Sequence, residues 1–190
     1  MVSLRFAEFK KMVQAALLTG CRYAELTRLK ASDYNKDSGT LYIHETKSGK
    51  PRHVTLDTAG QRFFNTVTAG INGHALVFPK TAGEGGKATA WGHAHQSRRM
   101  TDACTKAKIS PAVSFHVLRH THASHLAAAK VPMAVIAAQL GHRDTRICEK
   151  HYAHLSPNYI TDTIRAGFPD LKIVEASNIV TIDGQKKKKA

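Results

Sequence analysis

Apolar positions recur at helical spacing from the start of the chain. Leu4, Phe6, Phe9, Met12, Val13, Ala16 and Leu17 fall on one side of a helix over Leu4–Leu18. Ser3 is its N-cap and Gly20 its stop. A shorter helix over Arg22–Lys30 buries Leu26 and Leu29, and Ala31–Gly39 is polar and turn-like. The pattern then changes. Thr40–His44 and Arg52–Leu56 read as strands, and the ETKSGKP between them carries Gly49 and Pro51 as turn formers, which predicts a β-hairpin with a basic tip. Thr58–Val67 reads as a helix, Ala75–Phe78 as a short strand and the Gly-rich Thr81–Thr89 as a loop.

The helical period returns over Trp91–Lys108 and is broken by Pro111. Ser114 caps a helix to about Lys130, and Pro132 sits in the first turn of the next, which stops at Gly141. Asp144 or Thr145 caps a short helix carrying Tyr152, and a further helix spans Pro157–Ala166. The end, Leu171–Ala190, holds a strand-like SNIVTI and then QKKKKA, and no internal repeat is visible. The expected fold is mixed α/β, mainly α-helical with a small antiparallel β-sheet, in one domain with a tail.

Charge narrows the partner. The chain of 190 residues has 28 Lys+Arg against 14 Asp+Glu, a formal net charge of +14. That surplus favours a polyanion, most simply nucleic acid, over a basic surface that is only solvated. Cys21, Cys104 and Cys148 are odd in number and widely spaced, which fits a reducing compartment better than a disulfide framework. No apolar run is long enough to span a bilayer, and MVSLRFAEFKK lacks the apolar centre of a signal peptide. The expectation is a cytoplasmic protein that does not engage a membrane.

The candidate chemistry gathers in Ser114–Leu155, which holds seven of the twelve histidines. His116 and Arg119 share a helix face. His120, four residues after His116, raises a metal-pair reading, but Val117 stands where a zinc hydrolase needs glutamate and carboxylates are scarce nearby, so no metal is expected. His142 follows Leu140-Gly141 and suits either a helix C-terminus or a neighbouring phosphate. Tyr152 has an ordinary phenol pKa near 10, so it becomes a nucleophile only with a base or a cationic field to help it. Upstream, Thr19-Gly20-Cys21-Arg22-Tyr23-Ala24-Glu25-Leu26 opens a helix with Arg22, suited to phosphate, though an Arg22–Glu25 surface pair explains the same spacing. Lys47, Lys50 and Arg52 lie at the hairpin turn, where a lysine can reach a leaving group or be merely solvated.

Taken in order, T-G-x-R-x-x-E-L, T-K-x-G-K-x-R, H-x-x-R-H, L-G-H and Y-A-H resemble the motifs of the tyrosine recombinases, the phage integrase family, across Leu4 to about Leu155. The resemblance implies the tyrosine recombinase catalytic-domain fold over 1–165, with 166–190 a C-terminal tail that either docks on a neighbouring copy or is a frayed end with a solvated lysine run. It assigns the family's two arginines to Arg22 and Arg119, its hairpin lysine to Lys47, its histidine positions to His116 and His142, and its nucleophile to Tyr152. The interval from His142 to Tyr152 is ten residues, one more than in many members. The implied activity is site-specific cleavage and rejoining of double-stranded DNA through a 3′-phosphotyrosyl bond, without cofactor or metal. In that scheme Lys47 protonates the 5′-oxygen and His116 is the acid/base group beside the nucleophile. The motifs begin within the first 22 residues, so the family's N-terminal clamp domain is expected to be absent. The full-length protein would act as a homotetramer on DNA and this domain alone as a monomer, at the nucleoid of a bacterium carrying the phage or mobile element. Nick-and-reseal activity without partner exchange, and a non-catalytic DNA-binding module, are the alternatives.

Overall fold

The computed structural model describes residues 4–44, 50–80, 89–92, 94–152, 154 and 158–167. The predicted hairpin tip at 45–49, most of the Gly-rich loop and the SNIVTI segment lie outside them. Contacts divide the chain into Met1–Pro157 and Asn158–Ala190. The second unit contains α8 (Tyr159–Gly167), with Asp162 in its first turn and Arg165 in its last, each complementing the helix dipole.

In the first unit, α1 (Leu4–Thr19) buries Phe9, Met12, Ala15 and Ala16 along one stripe. It lies against α3 (Thr58–Thr68) and α5 (Phe115–Ala128). Strands β1 (Tyr34–Asn35), β2 (Thr40–Ile43) and β3 (Arg52–Thr55) form an antiparallel sheet in the order β1-β2-β3. The register pairs Leu41 with Val54, both in the core, and Tyr42 with His53 on the other face. Then come α4 (His95–Lys106), α6 (Met133–Leu140) and α7 (Arg146–Tyr152). The architecture is mainly helical with one small antiparallel sheet, as the hydrophobic pattern predicts. No helix among the described residues is long and apolar enough to cross a membrane.

Three predicted elements change under tertiary pressure. The helix expected over Arg22–Lys30 is the single turn α2 (Tyr23–Leu26), because the chain beyond it pairs instead of coiling. Val77 donates to the Leu29 carbonyl at 2.9 Å and Ala31 donates to the Ala75 carbonyl at 3.0 Å. This same pairing reduces the expected strand Ala75–Phe78 to one antiparallel bridge, Lys30 to Leu76. The helix expected from Trp91 begins at His95. Trp91 is spent on the core, its ring 5.7 Å from that of Phe9, and Thr89 bridges Lys80. Ser114 occupies the N-cap of α5 as predicted, but its side chain makes no capping bond. Asp144 does act ahead of α7, accepting from the Arg146 amide at 3.0 Å.

Buried residues separate into two clusters. The larger joins α1, α2, the sheet and α3 through Met12, Leu26, Leu41, Val54, Phe64 and Phe78. The smaller sits under α5, α6 and α7 and consists of Ala123, Ala127, Ile136, Ala137, Leu140, Cys148 and Tyr152. Its alanines let the helices approach closely, which sets where α7 crosses α5.

Candidate active site

Arg119 is only 3% exposed. A buried guanidinium is costly unless its donors are satisfied. One Nη1–H donates to the Gly20 carbonyl at 2.9 Å, and Nη2 donates to the Leu140 carbonyl at 2.6 Å and to His142 Nε2 at 3.0 Å. Both carbonyls stand at helix C-termini, of α1 and α6, where partial negative charge accumulates. Each end is turned by a left-handed glycine, Gly20 at φ +67 and Gly141 at φ +71. A Cβ at Gly20 would lie 2.7 Å from both His122 Cδ2 and Leu140 Cδ2. The T-G and L-G steps are therefore backbone devices that aim carbonyls at Arg119. Burial, then neighbouring Arg22, lowers the Arg119 pKa to about 10, which leaves it charged at neutral pH.

Glu25 is the second buried charge, its side chain 0% exposed. Arg52 meets it end-on in a bidentate pair, Nη1 to Oε1 and Nη2 to Oε2, both at 3.0 Å. Arg22 reaches the same carboxylate with Nη1 at 3.0 Å and with its backbone N–H at 2.8 Å. Burial alone would raise the Glu25 pKa, but the bonds and charge of Arg52 and then Arg22 outweigh it and hold the carboxyl below its usual range. So the Arg22–Glu25 spacing is not a solvated surface pair. It is half of a bracket that also ties down β3, since Arg52 Nε donates to the Gln139 carbonyl at 3.1 Å.

Two guanidinium groups thus share one carboxylate, and the third, that of Arg119, is held by backbone carbonyls instead. Arg22, His116 and Arg119 line a cleft of about 220 Å³ with Phe115 and Gln96. Its size and surplus positive charge suit a phosphate group. His142 lies against Arg119, outside the lining of the cleft. Burial, then Arg119 and Arg22, drops its pKa to about 4, so the ring is neutral. With Nε2 accepting from Arg119, the proton is on Nδ1, which donates to Cys148 Sγ at 3.2 Å. Burial raises the Cys148 thiol, which keeps it protonated.

Tyr152 ends α7 and is 4% exposed. Burial, and then Cys148, raises its pKa, so the phenol is neutral and donates to His120 Nδ1 at 2.6 Å. Sequence reasoning puts His116 beside the nucleophile. The structure puts His120 there, because four residues along a helix carry it about 6 Å further, to the level where α7 crosses. His116 lies at the cleft with its ring 4.7 Å from that of His120. Arg22, His116 and Arg119 meet at the cleft, His142 touches Arg119, and Tyr152 reaches α5 through His120; neither His142 nor Tyr152 lines the cleft itself. Lys47 lies outside the described residues. Among the described residues no group of three His, Cys, Asp or Glu side chains is arranged to hold a metal. Glu25 and Arg52 stand inside the sequence motifs, but nothing local says that they meet, and the four-residue spacing of His116 and His120 by itself suggests only a metal pair.

Comparison with known proteins follows the same residues. Residues 6–158 match the family model described as the phage integrase family. The integrase of Staphylococcus phage L54a is 27% identical over 169 residues, which is 76% of this chain and 47% of that protein. The catalytic domain of bacteriophage HP1 integrase superposes with a TM-score of 0.59 at 25% identity, covering 88% of this chain and 90% of that one. The Tn1549 transposon integrase, solved with a circular intermediate DNA, reaches a TM-score of 0.66 at 17% identity over 87% of this chain and 60% of that one, a likeness of fold. The chain spans between 40% and 50% of the length of the curated relatives it matches.

Proposed function

The chain belongs to the phage integrase family and has the fold of its catalytic domains, and on that premise we propose that it breaks and rejoins double-stranded DNA through a covalent bond from Tyr152 to a 3′-phosphate. The single observation that carries this reading is the cleft. Two arginines are held rigidly around a phosphate-sized space, by Glu25 on one side and by two helix ends on the other. A buried tyrosine hydroxyl is carried by the helix that crosses the one bearing Arg119.

The scissile phosphodiester enters the cleft, and Arg22 and Arg119 donate to its non-bridging oxygens, where charge grows in the transition state. Tyr152 attacks the phosphorus and the 5′-oxygen departs. Lys47, on the loop between β2 and β3, protonates that oxygen. The strand that follows this loop is anchored at Arg52 to both Glu25 and the α6 end, and this anchoring supports the choice of acid. His116 contacts the phosphate from the cleft mouth. His142 donates to it after exchanging its Arg119 contact for the phosphate, whose negative charge favours a second ring proton. A 5′-hydroxyl then attacks the phosphotyrosine and restores the strand. The bond energy is conserved, so no nucleotide cofactor or metal is consumed. Residues 1–165 form the catalytic domain and 166–190 a tail that docks on a neighbouring copy. Exchange between two duplexes takes four cleavages, hence four copies on DNA.

The test uses a randomised pool of nicked duplexes, in which cleavage next to the nick releases a short fragment and traps the covalent species. Labelled DNA should stay on the protein under denaturing conditions, and Tyr152→Phe should abolish it while melting within a few degrees of the parent. An adduct that survives Tyr152→Phe would move the nucleophile to another residue, Tyr159 being the next tyrosine along the chain.

A further inference from the structure

We propose that His120 is the proton carrier for Tyr152, the base in strand cleavage and the acid in rejoining. This rests on the reading of Tyr152 as the nucleophile and extends it to a residue the motif assignment leaves out.

The geometry is direct. His120 Nδ1 lies 2.6 Å from the Tyr152 oxygen, a single hydrogen bond with no intervening atom. Among the described residues it is the hydroxyl's hydrogen-bonding partner. His151 neighbours Tyr152 in the chain, yet its ring centroid is 6.1 Å from the tyrosine ring. His116 faces the cleft. Consecutive residues on α5 therefore serve the two halves of the reaction. Arg119 points to the phosphate cleft, and His120, about 100° further round the helix, points to α7.

The protonation states agree with this assignment. Burial, then His151 and Arg119, lowers the His120 pKa below its ordinary 6.5, so Nδ1 offers a lone pair at neutral pH. The phenol is raised, so less than about 0.1% of it ionises unaided at neutral pH. The nearby cations oppose a standing imidazolium, so proton transfer accompanies attack and does not precede it. In cleavage the tyrosine O–H bond breaks and an Nδ1–H bond forms. The freed oxygen pair makes the O–P bond, the P–O5′ bond breaks, and the 5′-oxygen takes a proton from Lys47. Rejoining reverses each step, with His120 returning its proton to the departing tyrosine oxygen.

The experiment compares His120→Gln with the parent on the nicked pool, each with tyrosine or with a ring-fluorinated tyrosine, several pKa units more acidic, at position 152. Glutamine keeps an acceptor for the hydroxyl but no base. With ordinary tyrosine, His120→Gln should form adduct roughly 10²–10⁴-fold more slowly. With the fluorinated residue, already ionised at neutral pH, the two chains should agree within a few-fold. A loss of the same size with both tyrosines would make His120 a positioning residue, and no loss with either would make it irrelevant; both overturn the proposal. A parent that forms no adduct sinks the nucleophile reading and this one with it. Should His120→Gln fail to fold, the parent carries the test. On a substrate with sulfur at the 5′-bridge, which needs no acid, its solvent isotope effect should be present with tyrosine and vanish on fluorination. An effect that is absent with tyrosine, or that persists on fluorination, overturns the proposal.

Discussion

Replacing Glu25 by glutamine tests whether the bracket around the cleft is held by charge. The variant keeps the volume and one acceptor. It removes the negative charge and turns an amide N–H₂ toward guanidinium donors at one of the two carboxylate oxygens. Each oxygen accepts from Arg52, and each also accepts from Arg22, through its side chain or its backbone N–H. The side chain of Arg52 is 10% exposed and that of Arg22 31%, so water can compensate Arg22 in part and Arg52 hardly at all. Breaking a buried ion pair by removing one partner costs about 3–5 kcal/mol, and the retained acceptor puts the expectation near the lower end, about 3 kcal/mol. For a chain of this size that is a fall in Tm of roughly 6–12 °C. Acid unfolding gives an independent readout. The Glu25 carboxyl titrates lower folded than unfolded, so its contribution is complete above the ordinary carboxylate pKa of about 4.3 and is lost as pH falls through its lowered value. The parent should therefore lose its advantage over the variant as pH drops through the carboxylate range. Adduct formation should fall as well, because Arg22 loses the group that orients it. A Tm within about 1 °C of the parent, with an unchanged gap at low pH, would refute the argument that this carboxylate is ionised and binds the two arginines together.

Three further outcomes are expected. Gly20→Ala puts a Cβ at φ +67 and 2.7 Å from His122 and Leu140, so differential scanning should show a loss of at least about 2 kcal/mol; a neutral result would remove the backbone role assigned to Gly20. Lys47→Ala should slow cleavage of ordinary DNA by roughly 10²–10⁴-fold and be largely restored by sulfur at the 5′-bridging position, since a thiolate leaves without a proton. Arg22→Ala and Arg119→Ala should stay slow on both substrates, and a Lys47→Ala defect that sulfur does not relieve would reassign the acid. DNA affinity should fall steeply with salt, by about 10³-fold between 50 and 200 mM if some six phosphates are neutralised; a flat titration would count against an electrostatic interface.

What could be read along the chain was whatever depends on neighbours in sequence. The apolar stripe of α1, the alternation of the two paired strands β2 and β3, and the glycines that end α1 and α6 are local matters of period and backbone freedom. They appear in the structure close to where the pattern puts them. The family motifs are legible for the same reason, being short and ordered. The single turn of α2 and the late start of α4 were not legible, because a long-range bridge from Lys30 to Leu76 and the burial of Trp91 against Phe9 overrode local preference. Nor was the inner workings of the site. That Glu25 gathers Arg22 and Arg52, that two helix ends close on Arg119, and that His120 rather than His116 meets Tyr152 are contacts between residues 21 to 99 positions apart, save for the one local Arg22–Glu25 pair. Only the packing of alanines, Ile136 and Leu140 beneath α5, α6 and α7 decides at which turn those helices cross. A histidine one turn earlier or later has the same sequence signature and a different chemistry.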